Sequence, residues 1–141
     1  MNGDLAEEVY VTQLPGFSIP GREHEVLHLH KALYGLHQAP RAWNSKLDAT
    51  LVTLGFARCA EEHGVYVRSE GQRRLLLGVY VDDLILTGAN SDELTQFKEE
   101  MKHKFKMSDL DPLSYYLGIE VQQGSRGITL GQAAYAAKLL E

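Results

Sequence analysis

Residues Leu75–Gly88 read LLLGVYVDDLILTG. The run is apolar along its length, yet adjacent aspartates, Asp82 and Asp83, sit at its centre. An unpaired buried carboxylate costs on the order of several kcal/mol even after relaxation. An unbroken strand over Leu75–Leu86 would also be about twice the usual length. Two strands joined by a tight hairpin at Val81–Asp83 fit better, because the acids then reach an exposed end while their flanks stay buried. Neighbouring residues on a regular strand point to opposite faces, but a tight turn relaxes that rule. Both carboxylates can then be aimed at one space. Like charges that close repel unless a cation lies between them. A hard divalent ion such as Mg²⁺, which takes oxygen ligands, suits such a pair. Aspartate is also a common residue of solvated turns, so the residues alone leave both readings open.

Outward from this run the pattern alternates between strand and helix. Val65–Arg68 and Arg74–Val81 read as strands around a turn containing Gly71 and Gln72. Upstream, Pro40 suits a first helical turn, Trp43, Leu47, Leu51 and Leu54 recur at helical spacing, and Gly55 is placed to end the helix. Downstream, Ser91 is the expected N-cap, with Asp92 and Glu93 in the first turn; Leu94, Phe97, Met101 and Phe105 continue that helix along one face. Tyr115–Val121 reads as one strand, QQGSRG as a turn, Ile128–Leu130 as the returning strand, and Gln132–Leu140 as a helix. Near the start, Val9–Thr12 and Val26–Leu29 are short strands separated by the irregular LPGFSIPG. Mixed helices and hairpins of this kind indicate an α+β domain.

The bulk properties narrow the class further. A chain of 141 residues, 44% hydrophobic and 23% charged, has the make-up of one globular domain with a real core. Its formal charge of −5 gives no global attraction to phosphate, so nucleic-acid binding has to rest on local basic faces. Lys98, Lys102, Lys104 and Lys106 with His103 form such a cluster, interrupted by Glu99 and Glu100, and an ordinary solvated helix face explains it equally well. The lone Cys59 excludes an internal disulfide and fits a reducing compartment. MNGDLAEEVY has neither the basic region nor the apolar core of a secretory leader. No run approaches the roughly 18 apolar residues of a membrane span. His24, His28 and His30 have spacings that could suit zinc, but no fourth ligand is evident. Tyr34 and Trp43 could stack on a base, although packing is the simpler role.

Tyr80-Val81-Asp82-Asp83 is the YVDD form of a YxDD box, and it does not stand alone. NGDLAEEVYV, QLPGF, KALYGLHQAPRAW (Lys31–Trp43), VYVDDLILTG, FKMSDLDPLSYYLGIEV (Phe105–Val121) and GITLGQAAYAAKLLE follow in order. Taken together, the chain resembles the reverse transcriptase of copia-type (Ty1/copia, Pseudoviridae-like) LTR retrotransposons from start to end. The resemblance implies an α+β fold: an incomplete reverse transcriptase palm with part of the fingers, in which packed helices cover an antiparallel sheet bearing a YVDD β-hairpin. It implies that Asp82 and Asp83 ligate catalytic Mg²⁺, with Mn²⁺ as a substitute, in two-metal nucleotidyl transfer. Tyr80 would line the nucleotide or primer-terminus pocket and Val81 would lie against the primer end. Gln38, Ala39 and Pro40 match the incoming-nucleotide and template stretch, and Arg41 and Trp43 the helix supporting it. Leu117, Gly118 and Ile119 match the strand that holds the primer. The implied partners are an RNA/DNA template–primer, dNTPs and the remainder of a Gag-Pol-type polyprotein, with no membrane. The implied location is intracellular, in cytoplasmic virus-like particles or the nucleus.

Departures from the family pattern are modest. His37 stands where lysine is usual, Asp111 where glycine is usual, and His28 and His30 where a cysteine and basic residues are commoner. A third catalytic carboxylate, which the family carries on a strand just upstream of the NGDL stretch, is expected to fall outside these residues. Asp4 lies in the wrong part of the motif and Glu120 in the primer-holding strand. The expectation is therefore a partial reverse transcriptase domain over residues 1–141 without thumb or RNase H, inactive by itself. The alternatives are a retained module of the same fold that binds nucleic acid or protein without chemistry, and an undifferentiated α+β domain with an acidic turn.

Overall fold

A computed structural model describes residues 3–71 and 73–140. Asn2 of the NGDL stretch, Gln72 of the expected turn, Met1, Glu141 and the Asp4 side chain lie outside the described residues. In chain order the elements are β1 (Asp4–Thr12), β2 (Val26–Lys31), α1 (Ala39–Thr53), β3 (Ala57–Arg58), β4 (Val65–Glu70), β5 (Arg73–Tyr80), β6 (Asp83–Gly88) and α2 (Ser91–Lys104). After them come β7 (Tyr115–Tyr116), β8 (Ile119–Gly124), β9 (Gly127–Gly131) and α3 (Ala133–Leu139). The fold is mixed α+β, and every strand pairing is antiparallel. Two units divide the chain, Met1–Lys106 and Met107–Glu141. No helix among the described residues is long and apolar enough to cross a membrane.

In the first unit β1 and β2 form a two-stranded ribbon, and β3-β4-β5-β6 form a four-stranded sheet in that order. Helix α1 arises where Pro40 opens the first turn; Ala39, Trp43, Leu47 and Leu51, spaced by four, then bury one stripe. Gly55, at φ 82, lets the chain leave the helix. The sheet answers with Tyr66 of β4 and Leu75 and Leu77 of β5, and α2 contributes Phe97 and Met101. Close packing fixes two glycines. A Cβ on Gly3 would come within 2.6 Å of the α1 backbone at Ala42 and Trp43, and one on Gly88 within 2.5 Å of the Leu75 side chain.

Two expectations need correction here. The cap of α2 is Asn90, not Ser91: the Asn90 backbone is extended, and its Oδ1 accepts from the amides of Asp92 (2.9 Å) and Glu93 (3.1 Å). Both residues are good caps, and only the backbone decides which of two neighbours sits just outside the helix. Phe105 lies past the helix end in extended conformation, although it is buried as expected.

In the second unit β7, β8 and β9 form a meander. The expected single strand over Tyr115–Val121 instead folds back on itself. Tyr116 pairs with Ile119, leaving Leu117 (φ 48) and Gly118 (φ 85) as a two-residue turn. Positive φ at both positions is the favoured hairpin pattern, but leucine at the first is unusual, so Gly118 was the one sign of the turn. Leu117 and Gly118 are therefore turn residues, and Ile119 opens β8. Asp111, one of the departures noted above, takes φ 63, with its amide donating to Asp109 Oδ1 at 3.2 Å.

Candidate functional site

Strands β5 and β6 pair from Leu75↔Gly88 to Tyr80↔Asp83, so Val81 and Asp82 alone make the reversal. Asp82 and Asp83 are both exposed, which removes the burial cost that their apolar flanks suggest. Among the described residues neither carboxylate has a hydrogen-bond or ion-pair partner. Asp83 lies opposite Tyr80 and shares its sheet face. Leu75 and Leu77, of the other parity, face the core. Val81 adopts φ 55. A left-handed conformation at a β-branched residue stores about 1–3 kcal/mol of strain and persists only where surroundings impose it.

Those surroundings come from α1 and from the loop before β4. Trp43 Nε1–H donates to the Val81 carbonyl at 2.7 Å, and the Val79 amide donates to Gly64 O at 2.7 Å. Pro40, Trp43, Arg58, His63, Val79 and Val81 help to line a cavity of about 360 Å³ beside the turn. The structure thus brings Pro40, Trp43 and Val81 together. Gln38 occupies the cap position of α1 without a side-chain cap bond, Ala39 is fully buried, and Arg41 is exposed. No hydrogen bond or ion pair joins Gln38 or Arg41 to either aspartate. Leu117, Gly118 and Ile119 belong to the second unit. The Trp43–Val81 bond was missed by sequence reasoning; its one sign was a lone tryptophan on the buried stripe of a helix that must still place its N–H.

Nearby electrostatics involve other groups. Burial pushes the Tyr66 phenol up to about 12, helped by its hydrogen bond to Asp48 Oδ1 (2.7 Å) and that carboxylate's charge, and opposed by Arg58. Part of the basic run on α2 is engaged locally: Lys102 pairs with Glu99 at 2.8 Å, and His103 Nδ1 lies 2.7 Å from Glu99 O. His28 stacks on Tyr10 and meets His30 edge-on, each at 4.8 Å between centroids. Among the described residues no group of three or more His, Cys, Asp or Glu side chains could hold a metal ion.

The acid pair thus sits at the reversal of a hairpin braced by a packed helix, inside the ordered sequence boxes. The family model described as "Reverse transcriptase (RNA-dependent DNA polymerase)" matches residues 1–141. The Pol polyproteins of transposons RE2 and RE1 from Arabidopsis thaliana are 36% and 37% identical over 140 residues, each alignment covering 99% of this chain. The putative transposon Ty5-1 protein of Saccharomyces cerevisiae is 37% identical over 139 residues, covering 98% of this chain and 45% of that protein. The chain belongs to the reverse transcriptase family, in its copia-type retrotransposon branch. It spans 10% of the length of the two Arabidopsis polyproteins. No solved structure matches it. The family generally uses divalent metal ions.

Proposed function

We propose that these residues are the part of an RNA-directed DNA polymerase palm that carries two of its metal-binding carboxylates. The exposed Asp82–Asp83 pair at the hairpin reversal, without a hydrogen-bond or ion-pair partner among the described residues, supports this reading most directly. The donor set fits Mg²⁺, or Mn²⁺ as a substitute: hard oxygen ligands, open to water and to substrate phosphates. Bound there, the ions supply charge stabilisation for the attacking and leaving oxygens of phosphoryl transfer. Two carboxylates hold one ion loosely, so a third acid, contributed by a longer Pol polypeptide, completes the site.

In this reading the primer 3′-hydroxyl attacks the α-phosphate of a dNTP, and pyrophosphate leaves. Tyr80 lines the nucleotide or primer-terminus pocket and Val81 lies against the primer end. Gln38 and Pro40 border the incoming nucleotide and template, with the buried Ala39 and with Arg41 and Trp43 in the helix behind them. Leu117, Gly118 and Ile119 contact the primer strand. The partners are an RNA or DNA template–primer, dNTPs and the rest of the polyprotein, inside the cell.

Primer extension on an RNA template tests this. The 141-residue chain alone should give no product. A longer Pol polypeptide containing it should extend, and Asp82→Asn or Asp83→Asn should lower the rate by about 10²–10³-fold. Extension at an unchanged rate in either variant would overturn the assignment.

A further inference from the structure

The Asp82–Asp83 pair is only as well aimed as its turn, and that turn lacks the residue that normally makes one. Val81 holds φ 55 where glycine or asparagine would sit more easily. The sheet alone does not impose this geometry. On the β4 side the last paired residues are Val65 and Gly78, and one further bond, Val79 N–H to Gly64 O at 2.7 Å, closes that edge. Two residues on, the Val81 carbonyl receives a side chain instead: the Trp43 indole N–H, also at 2.7 Å.

The Val81 carbonyl and the Asp82 amide belong to one planar peptide unit. Pinning that carbonyl fixes the plane from which the Asp82 side chain departs. Trp43 is well placed to do so, because it is itself immobilised: it is 5% exposed, lies on the buried stripe of α1, and meets Phe105 edge-on at 5.2 Å. A buried indole N–H needs an acceptor, and here the acceptor is the carbonyl of the peptide unit that leads into Asp82.

We infer that Trp43 is a positioning residue, whose indole N–H locks the Val81–Asp82 peptide so that both carboxylates face one metal ion. The metal half of this statement rests on the function proposed above; the turn-locking half does not.

Trp43 is the only tryptophan of the chain. Replacing tryptophan during expression with β-(benzothien-3-yl)alanine therefore exchanges one N–H for sulfur at one site, while 7-azatryptophan keeps the donor. Trp43→Phe removes the donor by ordinary mutagenesis and serves should the analogue fail to incorporate. Without metal, the Asp82 backbone amide should give one sharp NMR resonance in the unmodified and 7-aza chains. In the benzothienyl chain it should be shifted and exchange-broadened, with the Leu75 and Leu77 amides unmoved. With Mn²⁺, the dissociation constant should rise about five- to tenfold on loss of the donor and recover in the 7-aza chain. An unmoved Asp82 amide overturns the role given to Trp43. A shifted amide with unchanged Mn²⁺ affinity overturns its bearing on the metal. An unmodified chain that binds Mn²⁺ no better than Asp82→Asn overturns the metal reading itself.

Discussion

The residues before Met107 and those after it use the same kinds of element in different ways. Of the thirteen buried hydrophobic residues among those described, twelve lie in the first unit, and Val121 alone lies in the second. In the first unit every fourth residue of α1 and alternate residues of β5 converge on one core. In the second, Leu110, Ile128, Leu130, Leu139 and Leu140 are all exposed, and the meander is held by ladder bonds and contacts such as Ala134 N–H to Glu120 Oε1 (2.8 Å). A hairpin without a buried face is marginal by itself. The acid pair therefore stands on the better-packed region, as the proposed metal site would require to hold its geometry.

Core deletion should expose this contrast most strongly. Leu77→Ala, at a side chain with 0% exposure, should cost about 2–5 kcal/mol in urea unfolding. Leu130→Ala, at 64% exposure, should stay within about 0.5 kcal/mol. Equal losses would break the comparison. Next come the glycines. Gly88→Ala drives a methyl into Leu75 and should lower stability by about 1–3 kcal/mol, whereas Gly131→Ala, with nothing within 4 Å, should leave the midpoint nearly unmoved. Asn90→Ala should remove about 1 kcal/mol by uncapping α2, while Ser91→Ala should cost less; the reverse order would restore Ser91 as the cap.

The smallest effect at neutral pH belongs to Tyr66→Phe, about 0.5–1 kcal/mol from the lost bond to Asp48. Its pH signature is sharper. The folded phenol titrates near 12, above its ordinary value of 10.0, so its contribution is complete below pH 10 and is lost as pH rises through 12. Tyr66→Phe should lack that part of the alkaline decline, and denaturation curves recorded from pH 9 to 12 would show a parallel decline if the phenol played no such part.

Much of the first unit was legible because its signals are local and repeated. The spacing Trp43, Leu47, Leu51 reads as one helix stripe, with Leu54 at its cap, and an apolar run too long for one strand has to reverse at its polar centre. What escaped depended on backbone geometry or distance. Asn90 and Ser91 are chemically equivalent caps. Leu117–Gly118 turns without the asparagine or aspartate that marks such hairpins. The Trp43–Val81 bond spans 38 residues, beyond any local pattern. The acid pair itself was visible from its neighbours; what braces it was not.

The most direct test follows Mn²⁺ broadening of amide resonances in the isotope-labelled chain. The expected result is broadening confined to Tyr80–Leu84 at low Mn²⁺, abolished in the Asp82→Asn, Asp83→Asn double variant. Broadening centred elsewhere, or surviving in the double variant, would contradict the assignment of the hairpin turn as the metal site.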